Sequence, residues 1–302
     1  TKKFSWNTTL TLSHNKNSVK ALTGEAVQLY EAKFGFNQNT HRIAVGEPLG
    51  QFYGYITEGL YQVDDFNYDA STQTYTLKDG IPYHGDKGQI RPGMWKFKNL
   101  TGDDNVIDEN DKTVIGNAQP KFYGGLNNSF TYKGFDLSIF LTFSYGNEVL
   151  NATKLVTSKV GSLNYNALDV MNSSNRWMTI NSDGQKVTDP GELAALNAGK
   201  TVAAYHDAQQ GDNYIHSWAV EDASYLKLSN VTLGYTFPKN LIARVGLKNL
   251  RLYATGNNLL TWTKYSGFDP EVSTMKSGLT PGVDFGAYPL SRSFIFGLNV
   301  AF

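Results

Sequence analysis

The sequence predicts an all-β fold of long antiparallel strands, on three observations. Apolar and polar residues alternate over runs of ten residues or more, the period of a strand with two unlike faces. The composition is 13% aromatic with 18 Tyr, 17 Phe and 29 Gly in 302 residues, which suits tightly packed strands and many turns. Counted back from the carboxy terminus, short and very long connections alternate, the pattern of a transmembrane β-barrel with short turns at one end and long loops at the other.

The elements follow in chain order. Phe4 to Ser13 sets Phe4, Trp6, Leu10 and Leu12 on one side. Gly50 to Tyr61 is a second, Gly-rich and aromatic strand, and Met94 to Leu100 a weaker one. Lys121 to Tyr145 reads as a hairpin about Lys133-Gly134, with strands of about 11 residues, the length of a tilted hydrocarbon crossing. Its second strand puts Leu137, Ile139, Leu141 and Phe143 opposite Asp136, Ser138, Thr142 and Ser144. Ser224 to Phe237 slips phase at Ser229-Asn230, the mark of a β-bulge, and Pro238 ends it. Leu250 to Trp262 and Ser291 to Phe302 complete the set, the last with Phe294, Phe296, Leu298, Val300 and Phe302 on one face. The long connections are Gln62–Gln119, Gly146–Asp222 and Lys264–Pro289. Loops of that length in a compact domain usually have a function of their own. The directions of the first two strands stay open, as does the number of crossings between Leu60 and Gln119.

Composition excludes several functions. With 27 basic and 27 acidic residues the chain has no positive excess to hold a phosphate backbone, so nucleic acid is not expected. No cysteine is present, which removes disulfides, zinc–cysteine sites and thiol nucleophiles. A mean hydropathy of −0.37 and the lack of an apolar run long enough for a membrane helix leave membrane strands open, because these are apolar only at every second position. The chain starts at Thr1-Lys2-Lys3-Phe4, without Met or an apolar leader, as a piece of a longer polypeptide would.

Catalytic patterns are missing. The histidines His14, His41, His84, His206 and His216 form no ligand pair at helical spacing. No nucleophile elbow, P-loop or dinucleotide motif occurs. Glu221-Asp222 and Asp64-Asp65 are adjacent, so on strands they would point to opposite faces and make poor acid–base pairs. The chain is therefore not expected to be an enzyme. The acidic segment with Asp103, Asp104, Asp108 and Asp111 is a candidate calcium loop, since closely spaced carboxylates around a Gly supply hard oxygen donors, though the spacing departs from the calcium-loop pattern. Trp95, Trp177 and Trp218, with Tyr205 and Tyr214, are candidate ligand-binding aromatics, able to stack on sugar rings or grip peptide side chains.

Alternation alone also suits a soluble carbohydrate-binding β-domain. The terminal aromatic strand favours the membrane barrel, where a final aromatic residue gains a lipid interface. Five stretches then resemble one family: VGEPLGQFYGYITEGLYQ (45–62), DENDKTVIGNAQPKFYGGLNNSFTYKGFDLSIFL (108–141), WAVEDASYLKLSNVTLGYTFP (218–238), LYATGNNLLTWTKYSGFDPE (252–271) and YPLSRSFIFGLNVAF (288–302). Together they resemble the carboxy-terminal part of SusC/RagA-type TonB-dependent outer-membrane transporters of Bacteroidota. The resemblance implies that residues 1–302 form part of a barrel of about 22 strands, whose plug and earlier strands lie outside this chain. It implies a SusD-like lipoprotein partner, energy coupling to TonB through the plug, residence in the outer membrane of a Gram-negative bacterium, and import of glycans or oligopeptides. In that family the acidic segment reads closer to D-x-N-G-D-G-x-I-D, from which Asn99, Thr101 and the extra residue at Asp104-Asn105 depart. On this reading Tyr123, Asn127, Ser129, Asp136, Ser138 and Thr142 face the lumen, while Leu137, Ile139, Leu141, Phe294, Phe296, Leu298 and Phe302 face lipid.

Overall fold

The computed structural model describes residues 4–24, 27–31, 39–102, 104–158, 166–204, 214–274 and 277–302. Six long strands form one antiparallel sheet in sequence order: β1 (Phe4–Ser13), β2 (Phe122–Tyr132), β3 (Phe135–Tyr145), β4 (Tyr225–Thr236), β5 (Asn249–Thr263) and β6 (Ser293–Ala301). No helix among the described residues is long and apolar enough to cross a membrane.

The register carries one row of side chains across all six strands: Trp6, Phe130, Leu137, Leu233, Ala254 and Phe296. A parallel row reads Leu10, Leu126, Leu141, Leu228 and Leu260. One pleat away, on the other face, lie Asn7, Ser129, Ser138, Thr232 and Thr255. The phase slip in β4 now has a reason. The register shifts between Leu228 and Asn230, so Leu226 and Leu228 below the bulge share a face with Val231, Leu233 and Tyr235 above it.

The apolar face has no second layer among the described residues. Phe296 is 81% exposed, Leu10 64% and Trp6 61%, while Leu137, Ile139 and Leu141 are half-covered by their neighbours in the sheet. A soluble sandwich would bury this face between sheets. On this face the Asn128 amide accepts the Trp6 indole N–H at 3.1 Å.

Both short connections lie at one end. The Lys133-Gly134 turn has positive φ at both residues, 46° and 89°, a mirror-image turn whose twist matches the strands it joins. Residues 237–248 make the other, around a short helix (Lys239–Ile242) whose Ile242 is buried. Phe4 pairs with Tyr132 and Ser13 with Tyr123, so β1 runs from this end toward the long connections.

One expectation is corrected here. Gly50 to Tyr61 is not a crossing strand. It breaks into Gln51–Gly54, within a small sheet with Asn39–Ala44 and Thr113–Asn117, and Thr57–Leu60, paired with Trp95–Phe97. At the break, Tyr55 bonds by its backbone to residues 215 and 217, and Gly54 lets Ile215 approach so closely that a Cβ would sit 2.2 Å from its carbonyl oxygen. The alternation was real, but protein covers it. Among the described residues of 14–121, none therefore joins the six-stranded sheet between β1 and β2.

The three long connections pack together at one end of the sheet. Phe52 from the first, Leu150, Leu155, Ile215 and Ala219 from the second, and Val283 from the third share a buried cluster. A second cluster gathers Tyr55, Trp95, Phe97, Trp177 and Leu193. Val283–Asp284 also pairs in parallel with Leu150-Asn151.

Candidate functional site: the polar face and its rim

The polar face is tied together by side chains reaching across strands. Thr142 and Ser229 hydroxyls lie 2.7 Å apart, and Thr232 and Thr255 hydroxyls 2.8 Å. Asn230 donates to Asn257 at 2.7 Å, and Ser138 to Asn127 at 3.3 Å. Arg251 grips Asp136 with two nitrogens, at 3.0 and 2.5 Å, and this planar pairing crosses the strand between them over Gly234. A Cβ at Gly234 would meet Arg251 at 2.5 Å, so only glycine leaves room for the bridge. Tyr123, Asn127, Ser129, Asp136, Ser138 and Thr142 all share this face by register, and Leu137, Ile139, Leu141, Phe294, Phe296 and Leu298 share the opposite one. Phe302 lies just past β6 and is 80% exposed.

At the loop end of the polar face the third long connection folds back over the strands. Lys227, on β4, pairs across the sheet with Thr142 and Thr261. Its side chain is 4% exposed. Its ammonium lies 3.5 Å from Asp269 and bonds Glu271, and the Tyr225 hydroxyl donates to the other Glu271 oxygen at 2.6 Å. Behind this, Glu221 accepts from Ser266 through both its backbone N–H and its hydroxyl, each at 2.9 Å, and from Lys154 at 3.1 Å. Burial pushes the Glu221 carboxyl up, but the Ser266 and Lys154 donors outweigh it and hold the group below the usual range. The Tyr265 phenol, buried and bonded to Asp284 at 2.6 Å, is pushed far up. A cleft of about 550 Å³ opens between strand ends and this connection, with Tyr123, Thr142, Asn147, Glu148, Tyr225 and Glu271 on its wall.

The sequence-derived site residues fall in different places. Trp95 and Trp177 are 4% and 1% exposed, so their rings pack the loop interior and offer no free face for a sugar ring. Trp218 packs against that cluster, with Trp95 at 4.9 Å and the Lys154 ammonium 4.1 Å from its ring. Tyr214 contacts Tyr55 and Phe97 in the same cluster, and Tyr205 lies outside the described residues.

Asp103 also lies outside them. Among the described residues, no group of acidic side chains is gathered to hold a metal ion. Asp111 is fully buried and accepts from the N–H groups of Leu100, Thr101 and Asp108 and from the Thr101 hydroxyl, which fills its lone pairs. Burial opposes its charge, but those donors hold its carboxyl below the usual range. Asp108 caps a short helix through Asn110, and Asp104 bonds Val106. These carboxylates therefore brace the loop. Sequence reading missed Lys227, Asp269 and Glu271. Its available signal was a charge on the polar phase of "YLKLSN", facing an Asp-Pro-Glu turn far along the chain.

No family model matches the chain. Curated relatives do, along nearly its whole length, three of them as follows. "TonB-dependent receptor P3" of Formosa agariphila is 33% identical over 306 residues, covering 99% of this chain and 27% of the relative. "TonB-dependent receptor P39" of the same organism is 30% identical over 322 residues, covering 99% and 29%. "TonB-dependent receptor SusC" of Bacteroides thetaiotaomicron is 27% identical over 315 residues, covering 100% and 25%. Among solved structures, the RagAB peptide transporter superposes with a TM-score of 0.66 at 21% identity, over 100% of this chain and 27% of that one. The RagAB peptide importer in its closed-closed state gives 0.66 at 20% identity, over 100% and 28%. The chain thus spans about a quarter of the length of the curated relatives it matches. Along its whole length the chain is thus similar to part of the TonB-dependent receptors, SusC among them, and it folds like the matching part of RagAB.

Proposed function

We propose that the chain forms the carboxy-terminal barrel strands of an outer-membrane nutrient importer, with further strands and a plug domain supplied by the rest of the receptor. The observation that carries this is the continuous apolar face, open across six strands of 9–15 residues. In water such a face would aggregate; in a bilayer it meets acyl chains. The polar face then lines the lumen, with Tyr123, Asn127, Ser129, Asp136, Ser138 and Thr142 on the wall. Both sheet edges, β1 and β6, carry backbone groups that must pair with the missing strands, since each unsatisfied group in lipid costs several kcal/mol. The long connections sit on the outer side, where a SusD-like lipoprotein docks. Energy comes from TonB through the plug, and the cargo is a glycan or an oligopeptide. Nothing in this reading requires a bond to be made or broken.

The test is genetic. The receptor gene is deleted from the source bacterium, and uptake of fluorescent oligopeptides and oligosaccharides is measured with and without complementation. Loss of one cargo class, restored by the intact gene, is the expected result. Unchanged uptake of both classes contradicts the import reading.

A further inference from the structure

We infer that Lys227 is a positioning residue that clamps the turn of residues 266–272 across the lumen wall, making that turn a fixed constriction. The inference rests on the lumen assignment above. Two carboxylates from one turn converge on a single ammonium. Glu271 N–H donates to Asp269 at 3.0 Å, so the Asp269-Pro270-Glu271 turn aims both acids at Lys227. Asp269 and Lys227 side chains are only 13% and 4% exposed, and Tyr225 adds its hydroxyl to Glu271 and lies with its ring centre 5.7 Å from the ammonium. Just past the turn, Val272 packs on Val149, Ala223 and Tyr265, which gives the clamped segment a seat.

The charge count explains why Lys227 holds the connection. The ammonium is taken out of water, at a cost that only well-placed counter-charges offset. Its removal leaves Asp269 and Glu271 side by side with no cation, and two near carboxylates repel. Truncation at 227 therefore does more than lose a contact: it pushes the turn off the wall. Neutralising the two acids in the same protein removes that push.

The experiment uses the full-length receptor in nanodiscs with a single cysteine at Phe268, which is 81% exposed beside the clamped turn, carrying a nitroxide label. In the parent the spectrum is that of an immobile label. Lys227→Ala releases it to a mobile one, Lys227→Arg keeps it immobile, and Lys227→Ala with Asp269→Asn and Glu271→Gln returns most of the immobile signal. Protease cleavage within the connection rises about tenfold or more in Lys227→Ala, the factor that corresponds to 1.4 kcal/mol. An unchanged spectrum and unchanged cleavage in Lys227→Ala overturn the clamp. If Lys227→Ala does not insert, the swapped pair Lys227→Glu with Glu271→Lys decides: an immobile label supports the tether and a mobile one overturns it. Uptake assays read the import function separately. A label released by Lys227→Ala, with a parent receptor that imports neither cargo class, sinks the import reading and keeps the clamp.

Discussion

Phe296 and Phe97 sit on antiparallel strands of the same chain, one 81% exposed and the other fully buried. The first belongs to the six-stranded sheet, the second to the packed long connections. In the sheet, Trp6, Leu10, Phe294 and Phe296 look outward. In the connections, Phe52, Phe97 and Trp177 have at most 1% of their surface exposed and cluster with other loop residues. Polar groups show the reverse. The sheet spreads Asn, Ser and Thr over one open face, whereas the connections bury Asp111, Asn151 and Asp284 only with hydrogen-bond partners. The two regions are thus built differently: the connections supply their own interior, and the sheet leaves its apolar face open, as the proposed membrane setting requires.

Substitutions should separate the regions. The largest effect is expected in the connections. Trp177→Ala leaves a hole in a cluster that has no solvent to fill it, at about 3–5 kcal/mol. Protease resistance of the connections should fall steeply in nanodiscs while the sheet stays folded by circular dichroism. A parallel loss of sheet signal would show that the two regions are one cooperative unit. Next is Phe296→Arg, which puts a cation on the apolar face, at about 2–4 kcal/mol if that face meets lipid near the midplane, against a milder effect of Asn299→Arg on the polar face. Refolding yields in detergent that come out equal would contradict the assignment of faces.

A third effect depends on pH and touches only the connections. His41 is fully buried; in its neutral form it donates from Nε2 to the Pro281 carbonyl at 2.9 Å and accepts at Nδ1 from the Thr40 hydroxyl at 2.8 Å. Burial lowers its pKa to about 4, against the opposing pull of the Pro281 carbonyl. A histidine depressed below its unfolded value of about 6.5 stabilises the fold above that pH and loses the contribution as pH falls toward 4. The shift corresponds to about 3 kcal/mol at most. Thermal melts of the receptor at pH 7 and pH 4.5 should show the connections weakening, and His41→Gln should flatten the difference. An equal pH dependence in the variant would remove His41 as the cause.

The sheet was legible because its rule is local. Phe4–Ser13 is found with the bounds read from its alternation, the Lys133-Gly134 hairpin turns where its residues dictate, and the phase slip at Ser229 is a bulge. Alternation reports that one face is covered, however, and not by what. Gly50–Tyr61 carried the same signal as a crossing strand, yet residues 214–217 and 95–97 cover it. The rim was illegible for a related reason. His41 meets Pro281 and Lys227 meets Glu271 across 240 and 44 residues, and contacts so distant leave no period in the chain. The three tryptophans drew notice as binding aromatics because a sequence cannot distinguish a ring that stacks on a ligand from one that fills a core.

The decisive measurement is a nitroxide scan of β3 in the full-length receptor in bilayers, one site at a time from residue 136 to 143, scored by oxygen dissolved in lipid and by a water-soluble nickel chelate. The account predicts strict alternation, with oxygen favoured at Leu137, Ile139, Leu141 and Phe143 and the chelate at Asp136, Ser138, Phe140 and Thr142. Chelate access at both sets, or at neither, would contradict it.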